Sequence, residues 1–130
     1  MILLDTNIAI LIMDGDRQML DRLSGSTRNA ISVITRVELE AGVFRHEKEQ
    51  ALAAARLDVF LMGHECLFLR AEEADAYRHI LTATGFSRRK LLDRLIAATA
   101  LVHGLPLATL NPADFADVPG LEVLDWGVPA

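Results

Sequence analysis

Five short apolar runs that read as buried strands recur along this chain, and longer helical stretches separate them. That alternation constrains the fold more than any other feature. The runs are Ile2-Leu3-Leu4, Ala30-Ile31-Ser32-Val33, residues 66–69, Leu107-Ala108-Thr109 and residues 121–124. Helical patterns occupy residues 7–13, 17–23, 35–44, 47–62, 72–84 and 88–103, and Gly63, Gly85 and Gly104 stand where three of them should end. Strands that alternate with helices require right-handed crossovers and a parallel sheet covered on both faces. The expected fold is an α/β/α sandwich with a parallel five-stranded sheet. Folds of this class put their sites at the carboxyl ends of strands, where strand order reverses.

The 130 residues suffice for one domain, and no repeat, low-complexity segment or linker divides them. A hydrophobic share of 52% against 24% charged excludes a disordered chain. The longest clean apolar run, residues 8–13, falls far short of the roughly 18 residues of a membrane span. The N-terminus lacks a basic region followed by a hydrophobic stretch and a small-residue cleavage site, so secretion is not expected and a cytoplasmic protein is. A single cysteine, Cys66, permits no intrachain disulfide and no all-cysteine zinc site. The net charge of −5 argues against a nonspecific nucleic-acid coat protein. It is compatible with a nuclease, whose metal-binding carboxylates are themselves acidic.

Four carboxylates stand in positions that need explaining. Asp5 follows the first strand directly, where such a sheet presents a ligand, although an aspartate there also caps a helix well. Glu38 and Glu40 share the third helix. Glu40 has Arg36 one turn before it and reads as a surface pair, whereas Glu38 has only Ile34, Thr35, Ala41 and Gly42 around it. An acid on an apolar stripe needs either a cation or a route to solvent. Asp93 interrupts an apolar helix, with Ile96 and Ala97 one turn on and Arg89 and Lys90 one turn before as potential partners. Asp114 follows the fourth strand in Asn111-Pro112-Ala113-Asp114, which also makes a good helix start. In combination these acids say more. Strands one and four can be neighbours at the switch point, which would bring Asp5 and Asp114 together, with Glu38 and Asp93 bordering the same edge. Converging carboxylates cannot all stay ionised without cations. An oxygen-only ligand set suits Mg²⁺ or Mn²⁺, and such a cluster is the equipment for attack of water on a phosphodiester.

The segments resemble the PIN domain, and within it the VapC-type toxin ribonucleases of toxin–antitoxin pairs. The resemblance spans nearly the whole chain. It rests on Leu4-Asp5-Thr6-Asn7, on Ile31 to Thr35 followed by Glu38-Leu39 and Gly42, and on Asp93 followed by Ile96 to Ala100. It continues in the stretch from Leu107 to Phe115 and ends with Leu121 to Trp126. The resemblance implies Mg²⁺- or Mn²⁺-dependent endonucleolytic cleavage of RNA. It assigns the acidic quartet to Asp5, Glu38, Asp93 and Asp114. Asp5, Asp93 and Asp114 would ligate metal directly or through water, and Glu38 would orient the nucleophile. Asn7 and Thr109 match supporting polar positions; Asn111 matches the motif too, but its residue type and place favour a helix cap. The resemblance further implies a homodimer and a cognate antitoxin whose tail lies across the acidic site. The apolar residues within 8–13 and 59–62 could form such surfaces, or simply core. Arg88-Arg89-Lys90 could contact RNA phosphates, face solvent, or pair Arg89 with Asp93.

Other residues carry less. His46, His64, His79 and His103 lack ligand spacing, Cys66 and Trp126 read as packing residues, and Met13, Met19 and Met62 read as core or interface residues. No Gly-rich phosphate loop is present. Phosphoryl transfer through an aspartyl intermediate would suit Asp5, but Asn7 stands where a second acid is usual. A catalytically inactive PIN-like interaction module is the remaining alternative, against which stands the presence of all four acids.

Overall fold

The computed structural model describes residues 1–25, 28–45 and 48–129. In chain order its elements are β1 (Ile2–Leu4), α1 (Thr6–Met13), α2 (Arg17–Ser24), β2 (Asn29–Ser32), α3 (Val33–Arg45) and α4 (Gln50–Met62). There follow β3 (Glu65–Leu67), α5 (Ala71–Thr84), α6 (Leu91–His103), β4 (Leu107–Thr109), a 3₁₀ turn (Pro112–Phe115) and β5 (Val123–Asp125). The strands form one parallel sheet in the order β3-β2-β1-β4-β5, so the expected fold class is observed. The chain runs outward from β1 through β2 to β3, then returns past β1 to β4 and β5. Strand order therefore reverses between β1 and β4, and crossovers leave those two carboxyl ends in opposite directions.

Each strand distributes adjacent side chains to opposite faces. Leu3, Ala30 and Leu107 pack toward Ile80 of α5, Ile96 and its alanine neighbours in α6, and Phe115. Leu4, Ile31 and Ala108 pack on the other side against Ile8 and Ala9 of α1, Met19, Leu39, Leu57, Phe60 and Trp126. These two apolar layers cover both faces of the middle strands beneath the carboxyl edge. Gly104 ends α6 in the left-handed conformation at φ +63°, and its N–H reaches the Ala100 and Leu101 carbonyls.

Several boundaries differ from the sequence reading for local reasons. The second strand was expected to include Val33, but α3 starts there, because the Ser32 hydroxyl accepts a 3.1 Å bond from the Thr35 amide and caps the helix at once. The sixth helix starts at Leu91 rather than at 88. Ser87 Oγ accepts the Lys90 amide at 3.3 Å, and the Leu91 amide reaches the Arg88 carbonyl, so Arg88-Arg89-Lys90 form a turn before the helix. The fourth helix starts at Gln50; Glu47, where it was expected to begin, and His46 lie outside the described residues. Of the two places open to Met62, core or interface, the core is excluded: it is 87% exposed, and Val59 is 70% exposed, while Phe60 between them is buried. Met19 and Trp126 are buried as expected. Among the described residues no helix is long and apolar enough to cross a membrane.

Candidate functional site

Asp5 is the first residue beyond β1, and its amide bonds the Ala108 carbonyl of β4 at 3.0 Å. Strand pairing alone thus fixes its backbone at the switch point. Only 7% of the residue is exposed. Its Oδ1 accepts the Thr6 amide at 2.8 Å, and its Oδ2 accepts the Thr109 hydroxyl at 2.8 Å. Thr109 is held in turn, its Oγ1 accepting the Asn111 amide at 3.1 Å. Asp5 therefore caps α1 and also presents its carboxylate to the sheet edge. Burial pushes its carboxyl above the ordinary aspartate value, opposed by the Thr109 and Thr6 hydrogen bonds.

Glu38 arrives from α3. Its Oε1 accepts the Thr6 hydroxyl at 2.8 Å, and Thr6 Oγ1 lies 3.0 Å from Thr35 Oγ1. The Ser32 hydroxyl approaches Thr35 Oγ1 at 3.5 Å. A hydroxyl has one proton. Since that of Thr6 goes to Glu38, Thr35 must donate to Thr6, and the chain of donors runs from Ser32 to the carboxylate. Glu38 is thus oriented by a hydroxyl relay joining α3 to the start of α1. Glu40 on the same helix makes the surface pair expected of it, with Arg36 Nη2 at 3.2 Å. Sequence reading separated the two glutamates correctly, but it gave no role to Thr6, Thr35 or Ser32. The available signal was the spacing Ser32-x-x-Thr35-x-x-Glu38, which sets Thr35 and Glu38 one turn apart on a helix that Ser32 caps.

Asp93 lies in the first turn of α6, and Asp114 in the 3₁₀ turn after β4. Both line a cleft of about 880 Å³ together with Asp5, Glu38, Asn7 and Asn111. The acidic quartet assembled from four separate stretches therefore shares one cavity. The Asp93 carboxyl is pushed up to about 6, first by burial and then by the negative charges of Asp5, Asp114 and Glu38, with Lys90 opposing. Among the described residues no three Asp, Glu, His or Cys side chains are drawn close enough to enclose a metal ion as they stand. The negative charges that raise the Asp93 carboxyl are ones a divalent cation would offset. The donors are all oxygens, which fits Mg²⁺ or Mn²⁺ and disfavours softer metals.

For Asn111 and the basic run, the structure selects among places left open. Asn111 occupies the cap position of the 3₁₀ turn, but its side chain makes no capping bond; it faces the cleft. Arg89 makes no ion pair with Asp93. Arg88 and Arg89 are exposed in the turn before α6 and do not line the cleft. The cleft's basic residues are instead Arg45 and Arg56, which sequence spacing gave no reason to select.

The Asp93 shift has a testable sign. Below the ordinary value of 3.8 the group is protonated both folded and unfolded; as pH rises toward 6 the folded chain must still hold or expensively release that proton. The proton is bound more tightly in the folded state, so stability is greatest at low pH and is lost through about pH 6. In EDTA, the thermal midpoint of the wild type should fall between pH 4 and 7 more steeply than that of Asp93→Asn. Parallel curves for the two proteins would show that Asp93 is not under this strain.

The family model described as "PIN domain" matches residues 2–121. The chain is 33% identical to ribonuclease VapC1 of Rickettsia felis over 128 residues, covering 95% of this chain and 94% of that protein. It is 32% identical to ribonuclease VapC4 of Mycobacterium tuberculosis over 126 residues, covering 94% of each. Its fold superposes with a TM-score of 0.85 on a crystal structure of VapBC2 from Rickettsia felis bound to a DNA fragment from their promoter. That match has 28% identity and covers 97% of this chain and 99% of the other.

Proposed function

The chain belongs to the PIN-domain family, and from that membership we propose that it is a metal-dependent endoribonuclease, the toxin of a toxin–antitoxin pair. The observation that carries this reading is the confluence of Asp5, Glu38, Asp93 and Asp114 on one cleft at the switch point. Asp5, Asp93 and Asp114 would hold Mg²⁺ or Mn²⁺. When bound, the cation would activate water and neutralise charge developing on the scissile phosphate. Glu38 orients the attacking water, its own carboxylate held by the Thr6 hydroxyl. Thr109 fixes the rotamer of Asp5, and Asn7 contributes a polar wall to the cleft. Water attacks phosphorus, the bond to the leaving ribose oxygen breaks, and that oxygen takes up a proton. The neighbouring 2′-hydroxyl is not the nucleophile.

The partners follow from the relatives. Ribonucleases VapC are the similar proteins, and solved neighbours are VapBC assemblies and a toxin–antitoxin complex from Klebsiella pneumoniae. We therefore expect a cognate antitoxin to cover the cleft, RNA to be the substrate, and the chain to pair with a second copy. The exposed apolar residues Val59 and Met62 of α4 suit an apolar partner better than solvent.

Incubation of the purified protein with total RNA tests the reading. Discrete fragments are expected in Mn²⁺ or Mg²⁺ and none in EDTA, with no 2′,3′-cyclic phosphate at the new ends. Equal cleavage in EDTA, or cyclic ends, would mean that the chemistry bypasses the carboxylates. A protein that binds neither cation and cuts nothing would favour the interaction module.

A further inference from the structure

Asp93 and Asp114 belong to different elements, and nothing in the site itself bonds one to the other. A side-chain contact does connect the segments that carry them. Arg94, next to Asp93 in α6, is buried with 3% exposure, and its Nη2 donates to Asp117 Oδ2 at 3.0 Å. Asp117 lies three residues beyond Asp114, just past the 3₁₀ turn. One ion pair thus ties the first turn of α6 to the segment that carries Asp114.

The chemistry of Arg94 is an expensive way to secure packing. Its Nε and Nη1 are buried without a hydrogen-bond partner, so the guanidinium is desolvated while only part of its donor capacity is used. An apolar side chain of similar length would avoid that cost, since replacing a buried ion pair by a hydrophobic residue is commonly neutral or stabilising. Asp117 is half exposed and needs no partner to stay solvated. Stability alone therefore does not account for the pair. What the pair does supply is a directional link, with a fixed donor and acceptor, between two segments whose carboxylates repel each other across the cleft.

We propose that Arg94 and Asp117 are positioning residues that clamp α6 to the 3₁₀ turn and so limit how far Asp93 and Asp114 can move apart before a divalent cation draws them together. The inference rests on the metal-dependent reading above. Partners that orient ligands in this way typically change metal affinity or activity by about 10–100-fold when removed.

The test compares wild type, Arg94→Met, Asp117→Ala and Asp117→Asn. Three measurements are made: Mn²⁺ affinity by calorimetry, cleavage kcat and KM, and amide hydrogen exchange of residues 91–94 and 112–117 without metal. Arg94→Met is expected to keep or raise its thermal midpoint while Mn²⁺ affinity and kcat fall about tenfold or more and KM for RNA stays constant. Exchange in both segments should quicken. Asp117→Ala should show the same losses, and Asp117→Asn, which keeps an acceptor oxygen, should recover most of them. If Arg94→Met does not fold, Asp117→Ala decides, because its substitution is at a half-exposed position. Wild-type metal affinity, kcat and exchange in Asp117→Ala would overturn the clamp, as would losses in Arg94→Met that merely match its unfolded fraction. If wild type itself binds no Mn²⁺, the metal-dependent reading fails; the exchange data then decide the link alone, and unchanged exchange overturns it too.

Discussion

Asp5→Asn protein should fold normally and lose RNA cleavage by more than about 10²-fold, beyond the 10–100-fold usual for residues that only support a metal site. The substitution is nearly isosteric. The remaining carbonyl oxygen can still accept the Thr6 amide, and the Thr109 hydroxyl can turn to accept from the new amide group. What disappears is the charge. Because burial already works against that charge, metal-free Asp5→Asn should melt at or above the wild-type temperature. Activity and stability are thus expected to move in opposite directions. Initial rates on a labelled RNA in Mn²⁺, with melting curves in EDTA, check both. A rate within tenfold of wild type would remove Asp5 from the chemistry.

Phe115→Ala should be the most damaging substitution outside the acids. Phe115 closes the 3₁₀ turn, one residue after Asp114, and is 2% exposed among Leu3, Ile96, Leu107 and Val118. Truncating a buried aromatic costs about 3–5 kcal/mol through lost burial and the cavity left behind. A domain's whole stability is only about 5–15 kcal/mol, so the midpoint in urea should fall by a large fraction. The turn that presents Asp114 would lose its anchor at the same time, so Mn²⁺ affinity should drop even where the chain remains folded. A variant with unchanged urea midpoint would show that Phe115 does not anchor the turn.

The alternation of apolar runs with helical stretches was enough to specify a parallel five-stranded α/β/α sheet, because each strand needs both faces covered and each crossover has a preferred hand. The choice of Glu38 over Glu40 was also legible, since a helix brings residues three and four apart together and only Glu40 finds an arginine there. Element edges were less legible. The start of α3 depends on one hydroxyl of Ser32, and the start of α6 on one of Ser87, bonds worth too little to mark a sequence pattern. Asn111 looked like a cap by residue type, yet its side chain turns to the cleft.

The sequence by itself therefore determined the layers, the acids and the order in which they are strung, because periodicity and residue chemistry are local properties. Only the tertiary structure decided which groups meet. The Thr6–Thr35 contact, the Thr109 bond to Asp5 and the Arg94–Asp117 link join residues 29, 104 and 23 positions apart. No window of sequence contains such pairs. They exist because β1 and β4 pair side by side, which brings the ends of distant elements to one edge of the sheet.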